Sequence, residues 1–168
     1  MLDFKLREAT LQDWPQILSI YNYYIVNTVF NFELQTYCLS SRAAWFENFQ
    51  EGSPYQLLII VDKQNTVIGY AATTPFNPVT GYHTSFNVSV YCHPEFIGLG
   101  LGTHLLNELI ERNTYSSMAH RLYAGITIPN DSSMNLFQKF NFVKVAHFTD
   151  VGYKFDRYWD VVWFERCI

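Results

Sequence analysis

"HPEFIGLGLGTHLL", residues 93–106, decides how this chain is read. Gly98, Gly100 and Gly102 alternate with Leu99 and Leu101, and apolar residues at helical spacing follow. Ser, Thr, Asp or Asn ordinarily caps a helix, and glycine at its mouth weakens the helix and loosens the loop. Such a sequence implies a need for bare backbone. A helix start carries four unpaired N–H groups and the positive end of a dipole, and a glycine-rich approach lets an anion reach them. The chemistry indicated is phosphate binding. A Walker-type loop needs a Lys after its last glycine, and here Thr103 and His104 follow Gly102. A dinucleotide fingerprint needs GxGxxG after the first strand of its unit, and here the spacing is GxGxG in mid-chain.

Working outward, "HTSFNVSVYCH" (83–93) reads as a strand entering the glycines, and "GTHLLNELIERN" (102–113) as an amphipathic helix leaving them. "RLYAGITI" (121–128) reads as a buried strand. Strand, glycine loop, helix and strand are long enough for a right-handed crossover between parallel strands. Upstream, "FKLREA" (4–9) is a strand, and Thr10 with Asp13 makes a capping-box-like helix start. Trp14, Ile17, Leu18, Tyr21 and Ile25 follow at helical spacing. "RAAWFENF" (42–49) is a short second helix, and "QLLIIV" (56–61), "DKQN" (62–65) and "TVIGYAAT" (66–73) form a hairpin. Downstream, Asn130 caps a helix over 130–140, and "FVKVAHF" (142–148) and "RYWDVVWFERC" (157–167) close as strands. The order β-α-α-β-β-β-α-β-α-β-β predicts an α/β fold: a mixed sheet of six or seven strands with about four helices.

The length of 168 residues fits one domain, 1–168, with a sizeable core. Nearly half the residues are apolar, with 14 Phe, 12 Tyr and 4 Trp, which excludes disorder. A net charge of −4 without a Lys/Arg cluster argues against nucleic acid as a partner. The start "MLDFKLREAT" lacks a signal-peptide pattern, and no apolar run is long enough for a membrane span. Cys38, Cys92 and Cys167 are far apart and show no zinc spacing, which fits a reducing, cytoplasmic setting. No two histidines are spaced as a metal pair, so no metal is expected.

"HPEFIGLGLG" resembles the pyrophosphate loop of the GCN5-related N-acetyltransferases (GNAT), whose pattern is roughly Arg/Gln-x-x-Gly-x-Gly/Ala. "LREATLQDWPQILSIYN" (6–22) and "PNDSSMNLFQKFNF" (129–142) are similar to the opening and later segments of that superfamily. "SVYCHP" (89–94), "SRAAWF" (41–46), "FE" (32–33) and "VGYKFDRYWDVVW" (151–163) resemble its phosphinothricin/methionine-sulfoximine acetyltransferase branch. The ordered set covers nearly the whole chain. The resemblance implies a GNAT fold whose central parallel strands splay apart. It implies acetyl-CoA as cosubstrate, a small amino-acid-like amine as acceptor, and a homodimer. Val90, Tyr91 and Cys92 would offer backbone to pantetheine, and Gly98, Leu99, Gly100, Leu101, Gly102 and Thr103 would hold the pyrophosphate. Asn130 and Ser133 would touch the cofactor from the next helix start.

The chain departs from the branch at several positions. Ile97 stands where the pattern has Arg or Gln, and Leu99 where a Lys is common. A cation beside phosphate contributes about 1.5–3 kcal/mol, so backbone donors must carry more of the binding here. Asn87 stands where the branch has a Glu ahead of its "SVYV"; an amide orients a water but takes no proton. Phe137 occupies the general-acid position, and "TTPFNP" (73–78) replaces the branch's "DWR". A thiol has a pKa near ~8.5 and leaves as the anion without an acid. Glu33 and His83 are substitute bases; His83 shares a strand face with Asn87 but lies about 13 Å along it. Phe32, Trp45 and Tyr82 are the candidate acceptor walls, although most of "YNYYIVNTVFNF" (21–32) reads as packing. His93 reads as a turn residue, His104 and His120 as surface or packing residues, and the Cys92 thiol as a small buried apolar group. Two functions follow: an acetyl-CoA-dependent N-acetyltransferase, or a catalytically degenerate acyl-CoA-binding domain of the same fold.

Overall fold

In the computed structural model, "LLIIV" (Leu57–Val61) is buried at all of its positions. A strand apolar on both sides must be covered on both faces, and that sets the layering of the molecule. The structure describes residues 3–116 and 118–168. Met1 and Leu2 of the N-terminal stretch, and Ser117 within the expected 1–168 extent, lie outside the described residues.

The chain runs β1 (Lys5–Glu8), α1 (Trp14–Asn27), α2 (Leu39–Phe46), β2 (Leu57–Val61), β3 (Val67–Pro75) and β4 (Ser85–Cys92). It continues through α3 (Leu101–Ser116), β5 (Arg121–Ile128), α4 (Asp131–Lys139), β6 (Val143–Lys154) and β7 (Arg157–Cys167). The strands form a seven-stranded sheet in the order β1-β2-β3-β4-β5-β7-β6. Every neighbouring pair is antiparallel except β4 and β5. This is the expected mixed α/β sheet, with all seven strands present.

Two apolar clusters sandwich the sheet. On one face Leu105, Leu106, Leu109 and Ile110 of α3 and Phe137 of α4 pack over Leu58, Ile60, Phe86, Leu122, Ala124 and Phe164. On the other, Ile17, Ile20 and Tyr24 of α1 and Phe46 of α2 pack over Leu57, Ile59, Tyr70 and Ala72. Ile17, Leu18 and Ile25 are buried as their spacing predicted, together with Ile20 and Tyr24.

Several boundaries differ from the sequence reading. Helix α2 starts at Leu39 rather than 42, because Ser41 Oγ accepts from the Cys38 N–H (3.0 Å) and donates to the Cys38 carbonyl (3.0 Å). Strand β6 runs to Lys154 rather than 148, and Phe155 and Asp156 turn the chain into β7 with φ of 53° and 58°. Two central residues at positive φ match the twist of a tight hairpin. Strand β5 is only half covered: Leu122, Ala124 and Ile126 are buried, whereas Tyr123 is half-buried and Gly125 exposed.

The entry to α1 is held by one carboxylate. Asp13, 3 % exposed, takes both Arg7 guanidinium nitrogens (2.7 and 2.8 Å) and the Thr10 N–H (2.7 Å) and hydroxyl (2.8 Å). The Arg7 hydrogen bonds, followed by those of Thr10, pull its pKa down to about 2. A depressed carboxylate pKa stabilises the fold above the unfolded value near ~3.9, and the contribution is lost as pH falls through the folded one. Asp13→Asn is expected to lower stability by about 1–2 kcal/mol at pH 7 in urea unfolding. The gap from wild type should close as pH drops from about 4 to about 2.

Candidate active site

Strands β4 and β5 are paired only at Ser85–Arg121, Phe86–Leu122 and Asn87–Tyr123. Beyond Asn87 they part. Strand β4 stays paired with β3 as far as Cys92, and β5 with β7 as far as Ile128, so each keeps one partner and turns its other edge to the gap. Backbone N–H and C=O groups require partners, and here a bound chain can supply them. The end of β4 is held firmly. The Tyr24 hydroxyl donates to the Cys92 carbonyl (2.7 Å), so of the expected Val90, Tyr91 and Cys92 contacts this oxygen is already occupied. The Tyr91 ring stacks on Tyr70 (5.4 Å) and meets Tyr24 (5.0 Å) and Tyr21 (5.6 Å) edge-on. Burial raises the Tyr91 phenol above its ordinary pKa and pushes Tyr24 to about 12.

The glycines serve two physical needs. Gly98 (φ 84°) and Gly100 (φ 79°) adopt left-handed backbone, with open space where a Cβ would point. Gly102 lies in the first turn of α3, where a Cβ would stand 3.2 Å from Leu136 and 3.6 Å from Val90. The Thr103 and His104 N–H groups return to the Gly100 carbonyl (3.0 and 3.4 Å), leaving the preceding loop amides outside the helical ladder. Ile97 and Leu99 are 57 % and 52 % exposed, so neither side chain closes over the loop. The positive-φ glycines, the open helix start and the free β4 edge fit a long ligand with a diphosphate. The Cys92 thiol sits beside this start; burial raises its pKa to about 11, opposed by the Gly102 N–H. Asn130 Oδ1 caps α4 by accepting from the Ser133 N–H (3.2 Å). Phe137 is buried against Phe142 (5.0 Å) as core.

The sequence model of the acetyltransferase (GNAT) family matches residues 14–142. This chain belongs to the GNAT family. It is 33 % identical over 165 residues to a phosphinothricin N-acetyltransferase of Streptomyces coelicolor, covering 98 % of this chain and 96 % of that one. It is 32 % identical over 160 residues to an L-methionine sulfoximine/L-methionine sulfone acetyltransferase of Pseudomonas aeruginosa, covering 95 % and 92 %. The crystal structure of a Sinorhizobium meliloti phosphinothricin acetyltransferase in complex with acetyl-CoA superposes with a TM-score of 0.92 at 28 % identity, covering 98 % and 88 %.

In this GNAT chain the candidate acceptor residues fall into separate groups. Glu33, in the loop between α1 and α2, lies 3.9 Å from Arg42. The Arg42 guanidinium stands over Tyr21 (4.2 Å), Tyr37 (4.8 Å) and Trp45 (5.0 Å). Trp45 itself packs on Phe49 (4.8 Å) and Phe46 (5.0 Å). Phe32 lies against β6, where a Cβ at Gly152 would overlap its ring. Lys154, 3 % exposed, donates to the Asn31 carbonyl (2.9 Å), and burial lowers its pKa. The β6 end thus clasps the loop that carries Phe32 and Glu33.

Asn87 lies apart from that group and donates to the Pro75 carbonyl (3.2 Å). Tyr82 joins it through Phe76, whose ring is 6.0 Å away. Sequence reasoning missed Phe76, Tyr123 and Trp163, which share this patch; only sheet register brings them together. His83 turns Nδ1 to the Thr80 carbonyl (2.9 Å), and His93 accepts from the Glu95 N–H (3.4 Å) as a turn residue. Among the described residues no group of three or more His, Cys, Asp or Glu is placed to hold a metal ion, and no helix is long and apolar enough to cross a membrane. Gly152→Ala is expected to drive Phe32 off β6 and cost about 1–3 kcal/mol in urea unfolding.

Proposed function

We propose that this chain is an acetyl-CoA-dependent N-acetyltransferase acting on the amine of a small amino-acid-like acceptor. The observation that carries the reading is the parting of β4 from β5 after Asn87, directly ahead of the positive-φ glycine loop and the start of α3. Its GNAT relatives named for phosphinothricin and methionine sulfoximine point to the same acceptor class. Acetyl-CoA, when bound, supplies the activated acetyl group. Backbone from Gly98 to Thr103 would hold its pyrophosphate, and the β4 edge over Val90, Tyr91 and Cys92 its pantetheine and carbonyl oxygen, apart from the Cys92 carbonyl that Tyr24 occupies. Asn130 and Ser133 would bound the cofactor from α4. Asn87 would orient a water at the amine, and Glu33, in the separate group beside Arg42, is the candidate substitute base.

The active unit in this reading is a homodimer in a reducing cytoplasm, with 1–168 forming one domain. Support for the dimer comes from β6, a twelve-residue edge strand exposing Val143, Val145, Phe148, Val151 and Tyr153. A long apolar edge invites a partner. The three cysteines are free, which fits the compartment.

Calorimetric titration with acetyl-CoA, followed by thiol release over a panel of amino acids, tests the reading. Saturable binding with turnover is expected; binding without turnover would instead assign the degenerate acyl-CoA-binding domain. Gly100→Val, forced into left-handed backbone, is expected to weaken acetyl-CoA at least tenfold. Asn87→Ala should lower kcat about tenfold or more with little change in acetyl-CoA affinity. An unaltered rate in Glu33→Gln would remove Glu33 from the mechanism.

A further inference from the structure

The sheet face beyond Asn87 is aromatic. Phe76, the residue after β3, stands 4.5 Å from the Tyr123 ring, 5.7 Å edge-on from Trp163 and 6.0 Å from Tyr82. Tyr123 is the parallel partner of Asn87, and Trp163 is the antiparallel partner of Gly125, two residues further along β5. Residues two apart on a strand share a face, so Asn87, Tyr123, Gly125 and Trp163 look out on the same side. The Trp163 indole lies flat on β5: a Cβ at Gly125 would approach its ring atoms to 3.1 Å. Helices α1 and α2 cover the β2–β3 part of this face, which leaves Gly125 exposed and Tyr82 46 % exposed. The charges in this row, Arg121 and Glu165, neutralise each other at 3.3 Å.

We propose that Phe76, Tyr82, Tyr123 and Trp163 form the side-chain subsite of the acceptor, and that the preferred acceptor is an amino-acid-like amine bearing an aromatic ring. This rests on the reading that the acceptor amine lies at Asn87. A ring entering there meets edges and faces suited to offset or T-shaped packing. A sulfoximine or hydroxyl group in the same place would give up water against ring faces, with hydrogen bonds on offer only at the ring edges, from the Tyr82 and Tyr123 hydroxyls and the Trp163 indole N–H. Differences of this kind in an apolar pocket are worth about 10–200-fold in kcat/KM.

The test is thiol release from acetyl-CoA by the wild-type chain with L-phenylalanine, L-tryptophan, L-alanine, L-serine and L-methionine sulfoximine, repeated with Trp163→Ala and Tyr82→Ala. The expected result is a kcat/KM at least tenfold higher for phenylalanine or tryptophan than for alanine. In the variants that ratio should fall toward one, chiefly through a higher KM for the aromatic acceptor, while the acetyl-CoA Kd stays as in wild type. If a variant fails to bind acetyl-CoA, the wild-type ranking and the other variant decide. A wild-type preference for serine, alanine or the sulfoximine, or a ratio unmoved by both substitutions, overturns the aromatic subsite and leaves the transferase reading standing. Acetyl-CoA binding with no turnover on any amine overturns both.

Discussion

Three backbone pairs between β4 and β5, and then none, constrain everything around the site. A parallel pair that continued to Cys92 would close the sheet and leave no edge for a ligand. Closure is opposed from both faces. On one, α3 and α4 meet over the strand end: Leu136 lies against Gly102, and Val90 and Cys92 fill the same contact. On the other, Tyr24 ties the Cys92 carbonyl to α1, and Tyr91 is locked among Tyr21, Tyr24 and Tyr70. The end of β4 therefore belongs to β3, α1 and α3 rather than to β5. Backbone groups held at a rigid, open edge are preorganised for a ligand, which limits the ordering cost of binding.

The same wedge separates the roles of the glycines. Gly102 is small because Leu136 occupies the space a side chain would take, a packing demand indifferent to any ligand. Gly98 and Gly100 meet no neighbour and are instead fixed by backbone handedness. The loop reaches the helix start through two left-handed residues, which keeps α3 close to β4 while its leading amides stay outside the helical ladder. Under the proposed reading, a loop built this way would bind through its backbone, with Ile97 and Leu99 turned outward.

Much of this was legible in the sequence, for definite reasons. The α1 stripe and the β2–β3 hairpin obey periodicities of 3.6 and 2, and their apolar residues are buried as those periods require. The resemblance carried the strand splay, which no local pattern encodes. The start of α2 was misplaced because Cys38 is a poor capping signal and the bonds come from Ser41. The second half of β6 was unread because its outward residues are apolar, so alternation is lost. The aromatic patch stayed hidden because Phe76, Tyr82, Tyr123 and Trp163 come from segments up to 87 positions apart and only the register of β4, β5 and β7 joins them. Phe32, Trp45 and Tyr82, grouped from the sequence as one wall, sit in three different packings.

The positions at which the resemblance led to other residues share a direction under the proposed reading. Asn87 is a neutral amide, Phe137 is absorbed into the core, and the glycine loop carries neither Lys nor Arg. Near the two groups of candidate residues, Glu33 pairs with Arg42 and Glu165 with Arg121, while Lys154 beside the Glu33 loop is held by the Asn31 carbonyl. The face beyond Asn87 is thus framed by rings, a neutral amide and the paired Arg121 and Glu165. Under the proposed reading, an ammonium entering there would lose hydration without gaining a free counter-charge, which would lower its pKa toward the neutral amine. Nucleophilic attack requires that neutral form. Desolvation by an aromatic wall can therefore do part of what a carboxylate base does elsewhere, with the amide left to orient a water at the amine.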